Sequence, residues 1–234
     1  MPNLRVSTWN IFGVNFLDSS KRYPYIKKAV EEYDPDIALF QEVIFPWDNS
    51  FVEGIGDYHA ATLKKVRSSG LAAATKQKPK SVNYTVFNDQ AGIFNLKQLS
   101  DKFLRKGWQE LDLEDITIIN THLACSYSPD DQANSTIESQ AEQLLQSVRQ
   151  MRSEGKKIIL AGDLNFRKHS PLYDAFTAEL TDLTADLPVE DGKYKKVDFI
   201  FSNCGELVDS GYVGDPSMRN AYSDHHGIQV NLQI

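Results

Sequence analysis

Leu4-Arg5-Val6-Ser7-Thr8-Trp9 alternates in side-chain character, the period-two pattern of a strand. From Lys21 to Glu32 the period lengthens: Tyr25, Ala29 and Val30, with Ile26 and Tyr33, recur at helical spacing. Asp34-Pro35 closes that run, because a proline disfavours helical geometry in the residue before it. Asp36 to Phe40 is short and nearly all apolar, as expected of a strand covered on both faces. Strand, helix and strand in succession predict a layered α/β fold.

The middle of the chain is less regular. Leu71–Thr75, Tyr84–Phe87, Gly92–Leu96 and Gln109–Leu113 read as short strands separated by polar turns, which suits antiparallel pairing, and Ile116–Asn120 is a stronger strand. Ser135-Thr136-Ile137-Glu138 then forms a capping box, and Ile137, Ala141, Leu144, Leu145, Val148 and Met151 follow at helical spacing up to a stop at Gly155. That stripe is a core face laid on a sheet. Lys157–Ala161 reads as a buried strand, Ser170-Pro171 starts a short helix, and Val197–Ser202 and Ile228–Ile234 are the last strands. The polar stretch Thr184–Tyr194 is expected to be a mobile loop, and no internal repeat or low-complexity tract is present.

A length of 234 residues without a Pro/Ser/Gly linker or charge block suits one domain spanning 1–234. Its 32 acidic and 25 basic residues give a net charge of -7, which argues against a non-specific nucleic-acid coat protein but not against an enzyme of nucleic acids. Cys125 and Cys204 lie in no metal or redox spacing and read as structural thiols. The chain enters its first strand without a secretory signal and has no run long enough to span a membrane, so a cytoplasmic protein is expected, or a secreted one if a leader was removed; a monomer is expected as well.

The apolar runs end on side chains of related chemistry. Leu4–Thr8 leads into Trp9-Asn10, Ile37–Phe40 into Gln41-Glu42, Ile116–Ile119 into Asn120-Thr121-His122-Leu123, and Lys157–Ala161 into Gly162-Asp163-Leu164-Asn165; Ser223-Asp224-His225 adds a further polar cluster near the end of the chain. Strand ends on one rim of a sheet converge on one crevice. Acid, amide and imidazole groups there can hold a hard cation, position a phosphate and move a proton. Glu42 and Asn10 suit Mg²⁺, or Mn²⁺ as a substitute, with Asp224 as a third ligand, direct or through water. His225 is a candidate to take a water's proton if an acid holds its other ring nitrogen, and Asp198, lodged in the apolar strand Val197–Ser202, is that acid. An acid at that place can equally face solvent. Asp163 would orient or activate the water, while Asn165 and His122 would donate to the phosphate.

Taken together, Trp9-Asn10, Gln41-Glu42, Asn120-Thr121-His122-Leu123, Gly162-Asp163-Leu164-Asn165, Val197-Asp198-Phe199-Ile200 and Ser223-Asp224-His225 resemble, in order and spacing, the endonuclease/exonuclease/phosphatase superfamily. The resemblance implies a DNase-I-like four-layer α/β sandwich, two mixed β-sheets flanked by helices, with a Mg²⁺-dependent site at one rim. It also implies Glu42 and Asn10 at the metal, Asp163 and Asn165 at the nucleophile and phosphate, His122 on the phosphate, and His225 with Asp198 handling protons. Whether His225 or Asp163 is the base stays open. Lys106-Gly107-Trp108 and the Thr-His-Leu form look like the sphingomyelinase-like and general bacterial branches, whereas Ile137 stands where an arginine is expected.

The expected activity is a metal-dependent phosphodiesterase acting on a lipid, nucleic-acid or small-molecule ester. A nuclease, a phosphoinositide-type monoesterase and a non-catalytic binding module are the alternatives. A Ser or Cys hydrolase lacks support, because there is no Gly-x-Ser-x-Gly elbow. The basic run Lys64, Lys65, Arg67, Lys76, Lys78, Lys80 is either a solvated loop or a rim that attracts the anionic substrate. His59, His169 and His226 read as surface or packing residues.

Overall fold

Along β2 (Ile37–Val43) alternate side chains enter different cores: Ile37 and Leu39 face one, Ala38 and Phe40 another. The computed structural model describes residues 3–12, 19–44, 46–62, 69–90, 104–125, 135–188, 196–214 and 223–234. Within them, β2 lies in a six-stranded sheet ordered β11-β12-β1-β2-β4-β3, built from β1 (Asn3–Asn10), β3 (His59–Thr62), β4 (Gly70–Thr75), β11 (Glu206–Val213) and β12 (Gly227–Gln233). A second six-stranded sheet, ordered β5-β6-β7-β8-β10-β9, contains β5 (Ser81–Val86), β6 (Gly107–Leu113), β7 (Ile116–His122), β8 (Lys157–Asp163), β9 (Thr181–Asp182) and β10 (Asp198–Ser202).

Three cores separate four layers. Val6, Ile37 and Leu39 of the first sheet meet Ile118, Ile159 and Ile200 of the second between the sheets. Outside the first sheet, α1 (Ser19–Tyr33) and α2 (Pro46–Glu53) bring Tyr23, Ile26, Phe51 and Val52 onto Ala38 and Phe40. Outside the second, α3 (Ser135–Ser153) and α4 (Pro171–Thr177) bring Ile137, Leu144, Val148 and Phe176 onto Ile119, Leu160, Phe199 and Phe201. The fold is the four-layer α/β sandwich that the sequence implies.

Both sheets are mixed in the same way. One parallel pair, β1 with β2 and β7 with β8, sits at the centre of each, and every other pairing is antiparallel. Each parallel pair needs a crossover, supplied by α1 and α3 on the outer faces. The matching architecture aims the C-terminal ends of all four parallel strands at one end of the sandwich.

Most predicted elements appear within a few residues of their expected ends. Asp34, at φ 48°, ends α1 in left-handed geometry, and Ser170 caps α4 by accepting from Tyr173 N at 3.1 Å. Four elements were not expected: α2, β3, β9 and β11. The strand expected at Gly92–Leu96 falls outside the described residues. The first part of the stretch expected to be mobile is anchored instead: Thr184 and Leu187 are buried, and Lys196 and Lys168 donate to the carbonyls of Thr184 and Ala185.

Candidate active site

The C-terminal ends of β1, β2, β7 and β8, and the N-terminal ends of β10 and β12 that run antiparallel beside them, carry the candidate residues to one rim. Asn10, His122 and Asp163 are the last residues of their strands, and Asp198 is the first of its own. His122, Asp163 and Asp198 are register neighbours on three adjacent strands. Two backbone features let the side chains converge. A register shift in β2 between Gln41 and Val43 puts Glu42 at φ 57°, so it leaves the alternation of the strand and turns into the crevice. At Gly162 a Cβ would lie 1.9 Å from the Thr121 carbonyl, so only glycine allows β7 and β8 to meet beside Asp163.

His225 is the centre of the arrangement. Its Nδ1 is 2.8 Å from Asp198 Oδ2, and its Nε2 is 3.7 Å from Asp163 Oδ2. His122 Nε2 approaches the same Asp163 oxygen at 3.4 Å. Asn10 Nδ2 donates to Asp163 Oδ2 at 3.0 Å and to Glu42 Oε1 at 3.3 Å, while its Oδ1 accepts from Phe12 N at 2.9 Å. Asn165, at φ 53°, donates from its backbone to Asp163 Oδ1 at 3.1 Å and from its amide to Leu123 O at 2.9 Å. The two left-handed residues Glu42 and Asn165 carry backbone strain beside the candidate site. Asp198 does not face solvent: it is buried.

Burial and neighbouring charges together set the protonation states. Desolvation, then the nearby Asp224, pushes Glu42 up to about 7. Asp163 is pushed up to about 6 by burial and by Asp198, against the pull of His225. Burial alone would lower His225, but Asp198 and Asp163 outweigh it and hold the imidazole well above its ordinary value. His122 is the converse: burial, Lys106 and His225 keep it well below and therefore neutral.

Removing an ion from water costs several kcal/mol, so a cluster of acids needs positive charge nearby. Among the described residues, Glu42, Asp163, Asp198 and Asp224 are set against His225 and Lys106, with Lys196 bearing on Asp198 as well, so acids outnumber the cations named. Glu42 Oε2 is moreover buried with no hydrogen-bond partner among the described residues. An oxygen donor set with surplus negative charge fits a hard divalent cation at Glu42 and Asp224. Asp163, Asp198 and His225 also lie close enough to enclose an ion. The 2.8 Å contact between His225 and Asp198, however, already commits His225 Nδ1 to that carboxylate.

A family model described as the endonuclease/exonuclease/phosphatase family matches residues 7–225. The chain belongs to that family. Members of the family are metal-dependent phosphodiesterases, nucleases and phosphatases, and this chain is a hydrolase of phosphoester bonds. No curated protein matches it in sequence. Among solved structures, an endonuclease/exonuclease/phosphatase family protein from Bacteroides thetaiotaomicron is 20% identical, with a TM-score of 0.73 over 99% of this chain and 95% of that one. Truncated TDP2 from Caenorhabditis elegans is 16% identical, with a TM-score of 0.72 over 99% and 98%. Sphingomyelinase C from Streptomyces griseocarneus is 15% identical, with a TM-score of 0.69 over the whole of both chains. These likenesses establish the shared fold.

The family site contains one group that sequence reasoning left without a role. Lys106 is buried, donates from Nζ to Leu123 O at 2.6 Å, and bears electrostatically on Glu42, Asp163 and His122. Its signal is a lysine directly before a glycine at the start of a strand. Ile137, where an arginine is expected, is fully buried in the core beneath α3. The basic run does not form one rim: Lys76 follows the end of β4 paired with the start of β2, Lys80 precedes β5, and both lie at the end of the sandwich away from Glu42. Lys64, Lys65 and Arg67 fall outside the described residues. Cys125 and Cys204 take part in no disulfide among the described residues.

Proposed function

We propose that this chain is a phosphodiesterase that hydrolyses an anionic diester by in-line attack of water with the help of Mg²⁺. The observation that carries this reading is the convergence of a buried, unpartnered Glu42 oxygen with the Asp198-His225-Asp163 contacts on one rim. Glu42 and Asp224 are the residues that would hold the cation, joined by Asn10 if its amide exchanges the bond to Phe12 N for ligation. When bound, such an ion neutralises charge on the phosphoryl oxygens.

The remaining steps belong to the chain's own groups. Neutral His122 and the Asn165 amide donate to the phosphate. Asp163 orients the attacking water and accepts its proton, since its carboxylate faces both imidazoles. Asp198 fixes His225 through Nδ1, which leaves Nε2 as the ring nitrogen able to exchange a proton with the reactants. His225 enters charged and therefore gives a proton to the leaving oxygen.

The substrate class is the open choice within this reading, and it includes nucleic-acid and lipid diesters. A panel comprising a small chromogenic diester, a single-stranded oligonucleotide, a choline-headgroup lipid diester and a phosphate monoester, each with Mg²⁺, tests it. At least one diester should turn over, faster than the monoester, and excess chelator should stop the reaction. Full turnover in chelator would overturn the cation, and a preference for the monoester would overturn the diester.

A further inference from the structure

His225 lies in a short segment, Ser223 to His226, that leads into β12 and makes no ladder of its own. Its main chain is nonetheless held on both sides. Ser223 Oγ accepts from His225 N at 3.2 Å, and His225 O accepts from the indole Nε1 of Trp9 at 3.2 Å. Both tethers lead to β1: Trp9 is part of that strand, and Ser223 Oγ donates to Asn10 O at 2.6 Å. The same hydroxyl lies 3.3 Å from Asp224 Oδ1.

The indole is itself immobilised. Trp9 is 3% exposed, and a Cβ at Gly227 would lie 2.6 Å from its Cδ2, so the glycine lets β12 start against the face of the ring. A phenylalanine would satisfy the packing; what tryptophan adds is a buried N–H, which must find a partner. That partner is the His225 carbonyl. The imidazole, by contrast, is held from the second sheet through Asp198.

We infer that Trp9 and Ser223 are positioning residues: together they fix the main chain of His225 to β1, so that the first sheet sets where the imidazole stands and the second sets how it is turned. The inference rests on the role proposed above for His225. Proton transfer tolerates little displacement, and an error of about 1 Å can cost about 10²-fold in rate. Without the two tethers His225 keeps Asp198 but loses its fixed distance from Asp163 and from Asn10.

Three variants and one spectrum test this. Trp9→Phe keeps the ring and deletes the N–H; Ser223→Ala deletes the hydroxyl, and Ser223→Thr keeps it. With a diester substrate and Mg²⁺, Trp9→Phe and Ser223→Ala should each lower kcat by about 10- to 10²-fold with KM within about twofold, while Ser223→Thr recovers most of the loss. The downfield proton resonance of His225 Nδ1–H against Asp198, assigned by its disappearance in His225→Ala, should shift or broaden in the two damaging variants and stay in place in Ser223→Thr. Ser223→Ala removes no apolar contact, so it carries the test alone if Trp9→Phe does not fold. Unchanged kcat, or lowered kcat with an unmoved resonance, would overturn the inference. If His225→Ala itself retains full kcat, the proposed function of His225 fails instead, whatever the tethers do.

Discussion

Glu42 combines a left-handed backbone, a buried side chain and an oxygen without a hydrogen-bond partner among the described residues. Its carboxyl, pushed from 4.5 up to about 7, binds more protons in the folded than in the unfolded chain between those values. Stability from this group is therefore present at low pH and is lost as pH rises toward 7; Asp163, raised to about 6, acts in the same direction. His225, whose folded value is raised, likewise stabilises below its unfolded value and loses that contribution as pH rises. The cation-free protein should accordingly unfold at lower denaturant at pH 8 than at pH 5. Glu42→Gln should recover roughly 1–3 kcal/mol of the loss at pH 8 and abolish the stabilisation that Mg²⁺ gives the parent chain. Denaturant titrations with and without Mg²⁺ at the two pH values check both statements, and an undiminished Mg²⁺ response in the variant would remove Glu42 from the cation site.

Between the sheets, elements are tied by a polar layer just beneath the rim that carries the candidate site. Gln41 Nε2 donates to Thr8 Oγ1 at 2.9 Å and to Asn120 Oδ1 at 2.7 Å, and Asn120 Nδ2 donates across the sandwich to Phe40 O at 3.2 Å and Ala72 O at 3.0 Å. Gln109 Nε2 reaches Ala61 O in the same direction at 2.9 Å. Thr8, Gln41 and Asn120 stand on β1, β2 and β7, the strands that carry Asn10, Glu42 and His122 at or near their C-terminal ends. Apolar packing alone permits sheets to slide; directional bonds between them do not. Asn120→Ala strands buried donors and acceptors and should cost about 2–4 kcal/mol, and the double variant with Gln41→Ala should cost less than the two losses summed. Strict additivity in that cycle would mean the amides do not act as one unit.

For the whole molecule, the net charge of -7 leaves little general attraction for an anionic substrate, so local positive groups must do the work. Lys76, Lys78 and Lys80 are poorly placed for it. Lys76 pairs with Asp34 at 2.9 Å and Asp36 at 3.3 Å, and the segment bridges β4 to β5 at the far end of the sandwich. Reversing the charge of Lys78 and Lys80 together should therefore leave KM for an oligonucleotide or a charged lipid diester within about twofold of the parent value. A clear rise in KM, measured at low salt where such effects are largest, would show that substrate reaches that end. Among the described residues, no helix is long and apolar enough to cross a membrane.

What the sequence determined by itself was local. Period-two strands such as β1 and β8, the helical stripe of α3 and the caps of α4 depend on neighbours a few residues apart, and the polar tips Asn10, Glu42, His122 and Asp163 follow from where those runs stop. Tertiary structure decided what depends on distant partners. β11, with Asp209, Ser210 and Gly211 in its middle, is a strand because β12 offers it a ladder, and β3 is one because β4 does. Whether Asp198 faced solvent or His225 could not be read from an acid in an apolar run; the pairing of β10 with β8 turned it inward. The side to which Asn10 turns its amide, the burial of Lys106 against Leu123 and the separation of Lys76 from the rim were equally invisible. Most of these depend on segments distant in sequence, 17 positions for Lys106 with Leu123 and 153 for Asn10 with Asp163, and a local pattern carries no information about contacts at that range.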